Sequence, residues 1–192
     1  MRILAGQGKG RALARPGGIR PTSDKVKAAL FNILADAVPG ARFLDVCAGS
    51  GAVGLEALSR GAASVTWIER NALCCRRLRD NVERVFPSSA TARARVLCRD
   101  APAALRRLGE RGAQFELIFV DPPYDDISLL KRTLQAIGRH AILPSSGWLV
   151  VEHANRTDVP QPVENIEVVS RHRYGDTALS LCRRVGTNLQ AS

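Results

Sequence analysis

The chain has 192 residues, 45% of them apolar, and a formal net charge of +10. That length suits one domain with a core that needs neither disulfides nor metal, and no apolar run reaches the length of a membrane span or of a signal-peptide core. The charge is concentrated, with seven Lys and Arg against one Asp in residues 1–27, six of the ten net charges; a basic arm on a nearly balanced remainder suits a polyanion, usually nucleic acid.

Residues 2–14 form two short apolar segments parted by Gly6, Gly8 and Gly10, a pattern that predicts a β-hairpin. Pro16, Gly17, Gly18 and Pro21 make an irregular connector. Thr22, Ser23 and Asp24 then offer helix caps, and Val26, Ala29, Leu30, Ile33 and Leu34 form an apolar stripe to about Asp36. Residues 1–38 therefore read as a basic extension, a hairpin and a helix, preceding a main domain over residues 39–192.

That domain opens on the stretch from Phe43 to Glu69. An apolar strand over 42–46 runs into Ala48-Gly49-Ser50-Gly51, and a helix follows over 52–60. Such a turn needs residues without a Cβ, because the backbone must accept positive φ and lie close to a ligand. A second strand, 64–68, ends at Glu69, where a carboxylate can accept both hydroxyl protons of a ribose; Arg70 follows in the same rim. Gly49, Gly51 and Gly54 also match the dinucleotide fingerprint. Asp45 favours a different ligand: an acid before the turn repels a pyrophosphate but suits a tail carrying an ammonium and a sulfonium, as in S-adenosylmethionine.

Further alternation predicts helices over 71–85, 101–111 and 127–139 and strands over 94–98, 115–120 and 147–152. Such βαβ repetition gives a mostly parallel sheet between helix layers, with the ligand at the carboxyl ends of the strands. The runs 166–173 and 178–184, joined by Tyr174-Gly175-Asp176-Thr177, read as an antiparallel hairpin. The expected architecture is α/β and Rossmann-like, with seven strands and an antiparallel C-terminal edge.

Asp100 closes the third strand of this domain and can serve as a helix cap. It can equally accept from the exocyclic amine of an adenine while the Ala101 N–H donates to a ring nitrogen. The fourth strand ends in Asp121-Pro122-Pro123-Tyr124. Two prolines fix two φ angles and remove two donors, leaving the Asp121 carboxylate and the Pro122 carbonyl as neighbouring acceptors. Two acceptors side by side match an exocyclic –NH₂, and Tyr124 offers a face on which a base can stack. The implied chemistry is in-line attack by an amine nitrogen on a sulfonium methyl, without metal or covalent intermediate. The residues leave guanine and adenine amines both open; an NAD-dependent oxidoreductase shares the glycines and Glu69 but leaves Asp45 and Asp121–Tyr124 without a purpose. Five cysteines, Cys47, Cys74, Cys75, Cys98 and Cys182, follow no zinc or redox spacing and read as free thiols in a reducing compartment.

The motifs together resemble those of the RsmD-type 16S ribosomal RNA (guanine-N2)-methyltransferases, a class I S-adenosylmethionine-dependent fold. The likeness rests on R-I-L-A-G-Q-G-K-G-R from Arg2, R-P-T-S-D-K-V-K-A-A-L-F-N from Arg20, the run from Asp45 to Ala62, D-P-P-Y and Y-G-D-T. It implies a cytoplasmic enzyme acting on 16S ribosomal RNA within a small-subunit particle; a monomer is the separate expectation for the chain. It also implies that Arg20, Pro21 and Thr22 lie over the cofactor's methionine end, and that Lys9, Arg11, Arg15 and Arg20 hold RNA. The cofactor set is then Thr22, Asp45, Ala48, Gly49, Ser50, Gly51, Glu69, Arg70, Asp100 and Ala101.

Overall fold

The computed structural model describes residues 1–14, 23–87, 92–161 and 163–185; Arg15, Arg20 and Thr22, assigned above to RNA and cofactor, lie outside them. The strands are β1 (Arg42–Val46), β2 (Ser64–Glu69), β3 (Ala94–Cys98), β4 (Leu117–Val120), β5 (Trp148–Ala154), β6 (Ile166–Tyr174) and β7 (Thr177–Arg184). They form one sheet in the order β3-β2-β1-β4-β5-β7-β6. The first five run parallel and β7 pairs antiparallel with both β5 and β6. This is the Rossmann-like sheet with an antiparallel C-terminal hairpin that the alternation predicts.

Side-chain alternation along the strands builds two cores. Phe43, Trp67, Phe119 and Val150 face one layer, with α1 (Asp24–Ile33), α2 (Ala52–Ser59) and α3 (Ala72–Val85). Leu44, Ile68, Val120 and Val151 face the other, with α4 (Ala101–Gly109) and α5 (Ile127–Arg139). The same parity carries Asp45, Glu69, Asp121 and Glu152 to the first face at the carboxyl edge. No helix among the described residues is long and apolar enough to cross a membrane.

The N-terminal segment forms the expected hairpin in a short form. An antiparallel bridge joins Arg2 and Ala12, the Ile3 N–H donates to the Arg11 carbonyl and the Leu13 N–H to the Met1 carbonyl, each at 3.1 Å, while other donors turn toward α2. The N–H groups of Leu4 and Ala5 donate to the Glu56 carboxylate at 2.7 and 2.9 Å, and that of Gly8 to Ser59 Oγ at 2.9 Å. Glu56 is fully buried, receives Arg60 Nε at 2.8 Å, and lies 3.4 Å from Lys27 Nζ. Lys27, equally buried, donates to the Arg2 carbonyl at 2.6 Å. Ile3 and Leu13 sit in the same core as Leu30, Phe31 and Leu55, so the extension is packed onto the first helix layer. The predicted helix to Asp36 ends as α-helix at Ile33 and continues as a 3₁₀ turn, Ala35–Ala37.

Candidate functional site

Each parallel strand, or the turn after it, brings one acid to the carboxyl edge of the sheet: Asp45, Glu69, Asp100, Asp121 and Glu152. All five line one cleft of about 580 Å³, a volume within the ~300–1,000 Å³ of small-molecule sites. It lies where the strand order reverses, between β1 and β4, the position at which open α/β sheets bind ligands.

The glycine turn is built on left-handed backbone. Cys47, Gly49 and Gly51 have φ of 63°, 54° and 77°; a non-glycine residue held there stores strain of about 1–3 kcal/mol. Burial pushes the Cys47 thiol well above its usual range, and Asp121, Glu69 and Asp45 add to the effect, so it stays protonated. Gly51 is the N-cap of α2 and has no side chain to cap with. Asp45 supplies the missing acceptor from β1, taking the Gly54 N–H at 2.9 Å and placing a carboxylate at the helix N-terminus. A Cβ on Gly54 would stand 2.2 Å from Trp67 Nε1, so α2 seats against β2 only through this glycine.

Burial raises the Asp45 carboxyl from 3.8 to about 7, opposed by the Gly54 hydrogen bond and reinforced by Glu69. Below about pH 4 the group is protonated folded or unfolded and costs the fold nothing. As pH rises toward 7 the unfolded chain ionises it and the folded one does not, so stability falls through that window. Three units correspond to about 4 kcal/mol. Asp45→Asn removes this cost but leaves a new amide N–H to satisfy, worth about 1–3 kcal/mol. The variant is expected to be more stable than the parent by about 1–3 kcal/mol in urea unfolding at pH 8 and less stable by about 1–3 kcal/mol at pH 4, where only the amide cost remains. A gain of equal size at both pH values would exclude the titration of Asp45 as its cause.

Glu69 is fixed from two sides. Its Oε2 accepts the Gly49 N–H at 2.8 Å and its Oε1 the Asn71 N–H at 2.7 Å, while Asn71 caps α3 through Leu73 and Cys74. Each oxygen keeps a second lone pair for a hydroxyl. Asp100 is the N-cap of α4 but makes no side-chain cap hydrogen bond, which leaves its carboxylate to the cleft. Ala101 opens the same helix, where N–H groups lack intrahelical partners. Arg70 and Arg99 line the cleft from exposed positions.

Opposite Glu69 stands the Asp121–Tyr124 run. The Asp121 N–H donates to the Val46 carbonyl at 3.1 Å, tying this loop to the strand that carries the glycine turn. The Tyr124 hydroxyl meets Glu152 Oε1 at 3.1 Å and Thr177 Oγ1 at 2.8 Å. Burial, with the charges of Glu152 and Asp121, moves the phenol up to about 12, the Thr177 hydrogen bond opposing.

The cleft thus gathers Asp45, Ala48, Gly49, Ser50, Glu69, Arg70, Asp100, Ala101, Asp121, Pro122, Pro123 and Tyr124, with Gly51 beneath them at the head of α2. Lys9 and Arg11 are exposed, on the arm and away from the cleft lining. Arg11 Nη1 donates to the Arg84 carbonyl at 3.2 Å and also to that of Val85, serving the end of α3. Sequence reasoning missed Glu152, Thr177, Asn71 and Asn81. Asn81, fully buried on α3, pairs with both backbone groups of Ala14 at 2.8 and 3.0 Å and donates to the Ser50 carbonyl at 3.1 Å, joining the arm to the glycine turn. A lone Glu at the end of the apolar run 149–151 was the one signal available for Glu152.

A family model described as "Conserved hypothetical protein 95" matches residues 1–183. Ribosomal RNA small subunit methyltransferase D of Escherichia coli (strain K12) is 39% identical over 186 residues, covering 96% of this chain and 90% of its own length. YlbH of Bacillus subtilis (strain 168) is 34% identical over 188 residues, covering 97% and 100%. The solved structure of yhhF from Escherichia coli superposes with a TM-score of 0.84 at 34% identity, over 96% of this chain and 98% of that one.

Proposed function

Because the chain belongs to the RsmD-type family, we propose that it transfers a methyl group from S-adenosylmethionine to the N2 amine of a guanine in 16S ribosomal RNA, within a small-subunit particle. The observation that carries this reading is one cleft rimmed by Glu69 and the glycine turn on one side and by Asp121–Tyr124 on the other.

The residues fit the cofactor. Glu69, pre-set by the Gly49 and Asn71 amides, would hold the ribose. Asp100 and the Ala101 N–H would meet the adenine edge. Asp45 and its acidic neighbours suit a cationic tail and disfavour the pyrophosphate of NAD. Once bound, the cofactor supplies an electrophilic methyl on a sulfonium and leaves as a neutral thioether. The chain does the rest by positioning, which can lower a barrier by about 7–11 kcal/mol. The Asp121 carboxylate and the Pro122 carbonyl accept the two amine N–H bonds, drawing the nitrogen lone pair out of conjugation and aiming it across the cleft. Asp121 stabilises positive charge as it grows on that nitrogen, and the proton that the methylated amine then releases would pass to the Asp121 carboxylate or to water. Tyr124, its hydroxyl tethered to Glu152 and Thr177, offers a fixed ring for the base to stack on. The charge of the N-terminal arm would draw RNA from outside, through Lys9 and Arg11 together with Arg15 and Arg20.

The test is to incubate the protein and labelled S-adenosylmethionine with undermodified small subunits, free 16S RNA and DNA in parallel. N2-methylguanosine from the ribosomal particle, identified by mass spectrometry, is the expected product. N6-methyladenosine from either nucleic acid would overturn the guanine assignment, and no transfer to any of them would overturn the reading itself.

A further inference from the structure

We propose that Glu152 reads the target base by accepting the N1–H of guanine, and so selects guanine over adenine; the inference rests on the function proposed above. D-P-P-Y by itself grips any exocyclic amine. A second carboxylate beside it changes what the pocket asks of the ring.

β4 and β5 are parallel neighbours, with Val120 opposite Val151. Asp121 and Glu152 are therefore the next residues on adjoining strands, about 4.8 Å apart in backbone spacing, and alternation turns both to the same face of the sheet. Both line the cleft, Glu152 with only 4% of its surface exposed. Its Oε1 meets the Tyr124 hydroxyl at 3.1 Å, a contact that orients the group, and a carboxylate has about four acceptor sites in all. Guanine presents two donors on one edge, N1–H and the N2 amine, which side-chain acceptors converging from neighbouring strands can meet together. Adenine presents its amine beside an N1 lone pair. Facing a buried carboxylate, that lone pair would have no donor to meet, and sites built to receive an N–H reject analogues lacking it.

The test places guanine or 2-aminopurine at the methylated position of splint-ligated small-subunit RNA. 2-Aminopurine keeps the N2 amine and replaces N1–H by a lone pair. With the unaltered protein, transfer to 2-aminopurine is expected to be slower by roughly 10- to 100-fold, the range of one or two lost base contacts. Glu152→Gln can donate an amide N–H to that lone pair, so the ratio of the two rates should narrow at least several-fold. Should the amide variant be unstable, Glu152→Asp, which draws the charge back by one methylene, is expected to narrow the ratio in the same direction.

Equal rates on the two bases with the unaltered protein would overturn the proposal without recourse to a variant. A lower rate in Glu152→Gln with an unchanged ratio would also overturn it, since a residue that only anchors Tyr124 slows both bases alike. Methyl found elsewhere than on N2 of guanine in the unaltered reaction would instead defeat the underlying function, and the inference with it.

Discussion

Replacing Asp121 with alanine is expected to lower the rate of methyl transfer by about 10²–10³-fold, the usual consequence of losing one preorganised polar contact to developing charge. Cofactor affinity should change little, because Glu69 and the glycine turn are held by their own backbone contacts. The loop itself should persist. Two prolines restrict it, and its tether to β1 is the Asp121 backbone N–H, which alanine retains. Asp121→Asn keeps an acceptor oxygen but loses the charge, and should fall between parent and alanine variant. Single-turnover rates on undermodified small subunits, together with calorimetry using S-adenosylhomocysteine, separate the two quantities. Full single-turnover activity in Asp121→Ala would remove the mechanism.

Glu56→Ala is expected to cost about 3–5 kcal/mol of stability, the range for breaking a buried ion pair from one side. The loss has three parts: the buried Lys27 ammonium loses its 3.4 Å partner, the Leu4 and Ala5 N–H groups lose their acceptor, and Arg60 loses its contact with α2's interior. Removing both charges, as Lys27→Met with Glu56→Leu, should recover only part of the loss, because the two backbone donors stay unmet. Equilibrium unfolding in urea reads both variants. A change below about 1 kcal/mol for Glu56→Ala, the level of an exposed pair, would mean the cluster does not hold the arm.

Most of the sheet was legible because its signals are local. β1, β3 and α5 fall on their expected spans, since apolar alternation and helical spacing depend on nearest neighbours alone. The same holds for Asp45, Glu69 and Asp121, each marked by its place after an apolar run. The short N-terminal hairpin was legible from its glycines and apolar segments, whereas what it packs on was not, because the partner is distant in sequence: Leu4 and Ala5 pair with Glu56, about fifty residues on. Within the apolar face of α2 a glutamate reads as an exposed position, and nothing nearby announces the buried Lys27 that faces it. Asn81 and Thr177 were invisible for the same reason, because their importance lies in what the fold brings to them. Asp100 was open between cap and ligand on sequence grounds, and its lack of a cap hydrogen bond weighs against the first.

The cleft and the outer surface carry opposite signs: six acidic side chains, Asp125 among them, line the cleft of a protein whose net charge is +10. A nucleotide is itself divided in this way, with an uncharged ring at one end and a phosphate at the other. Cationic side chains outside can take hold of the phosphate, and the acidic interior pushes it back, over a range of about 8 Å at physiological ionic strength. For a nucleic-acid substrate this division would admit the ring and hold the phosphate outside, so orientation would be sorted by charge before shape is compared.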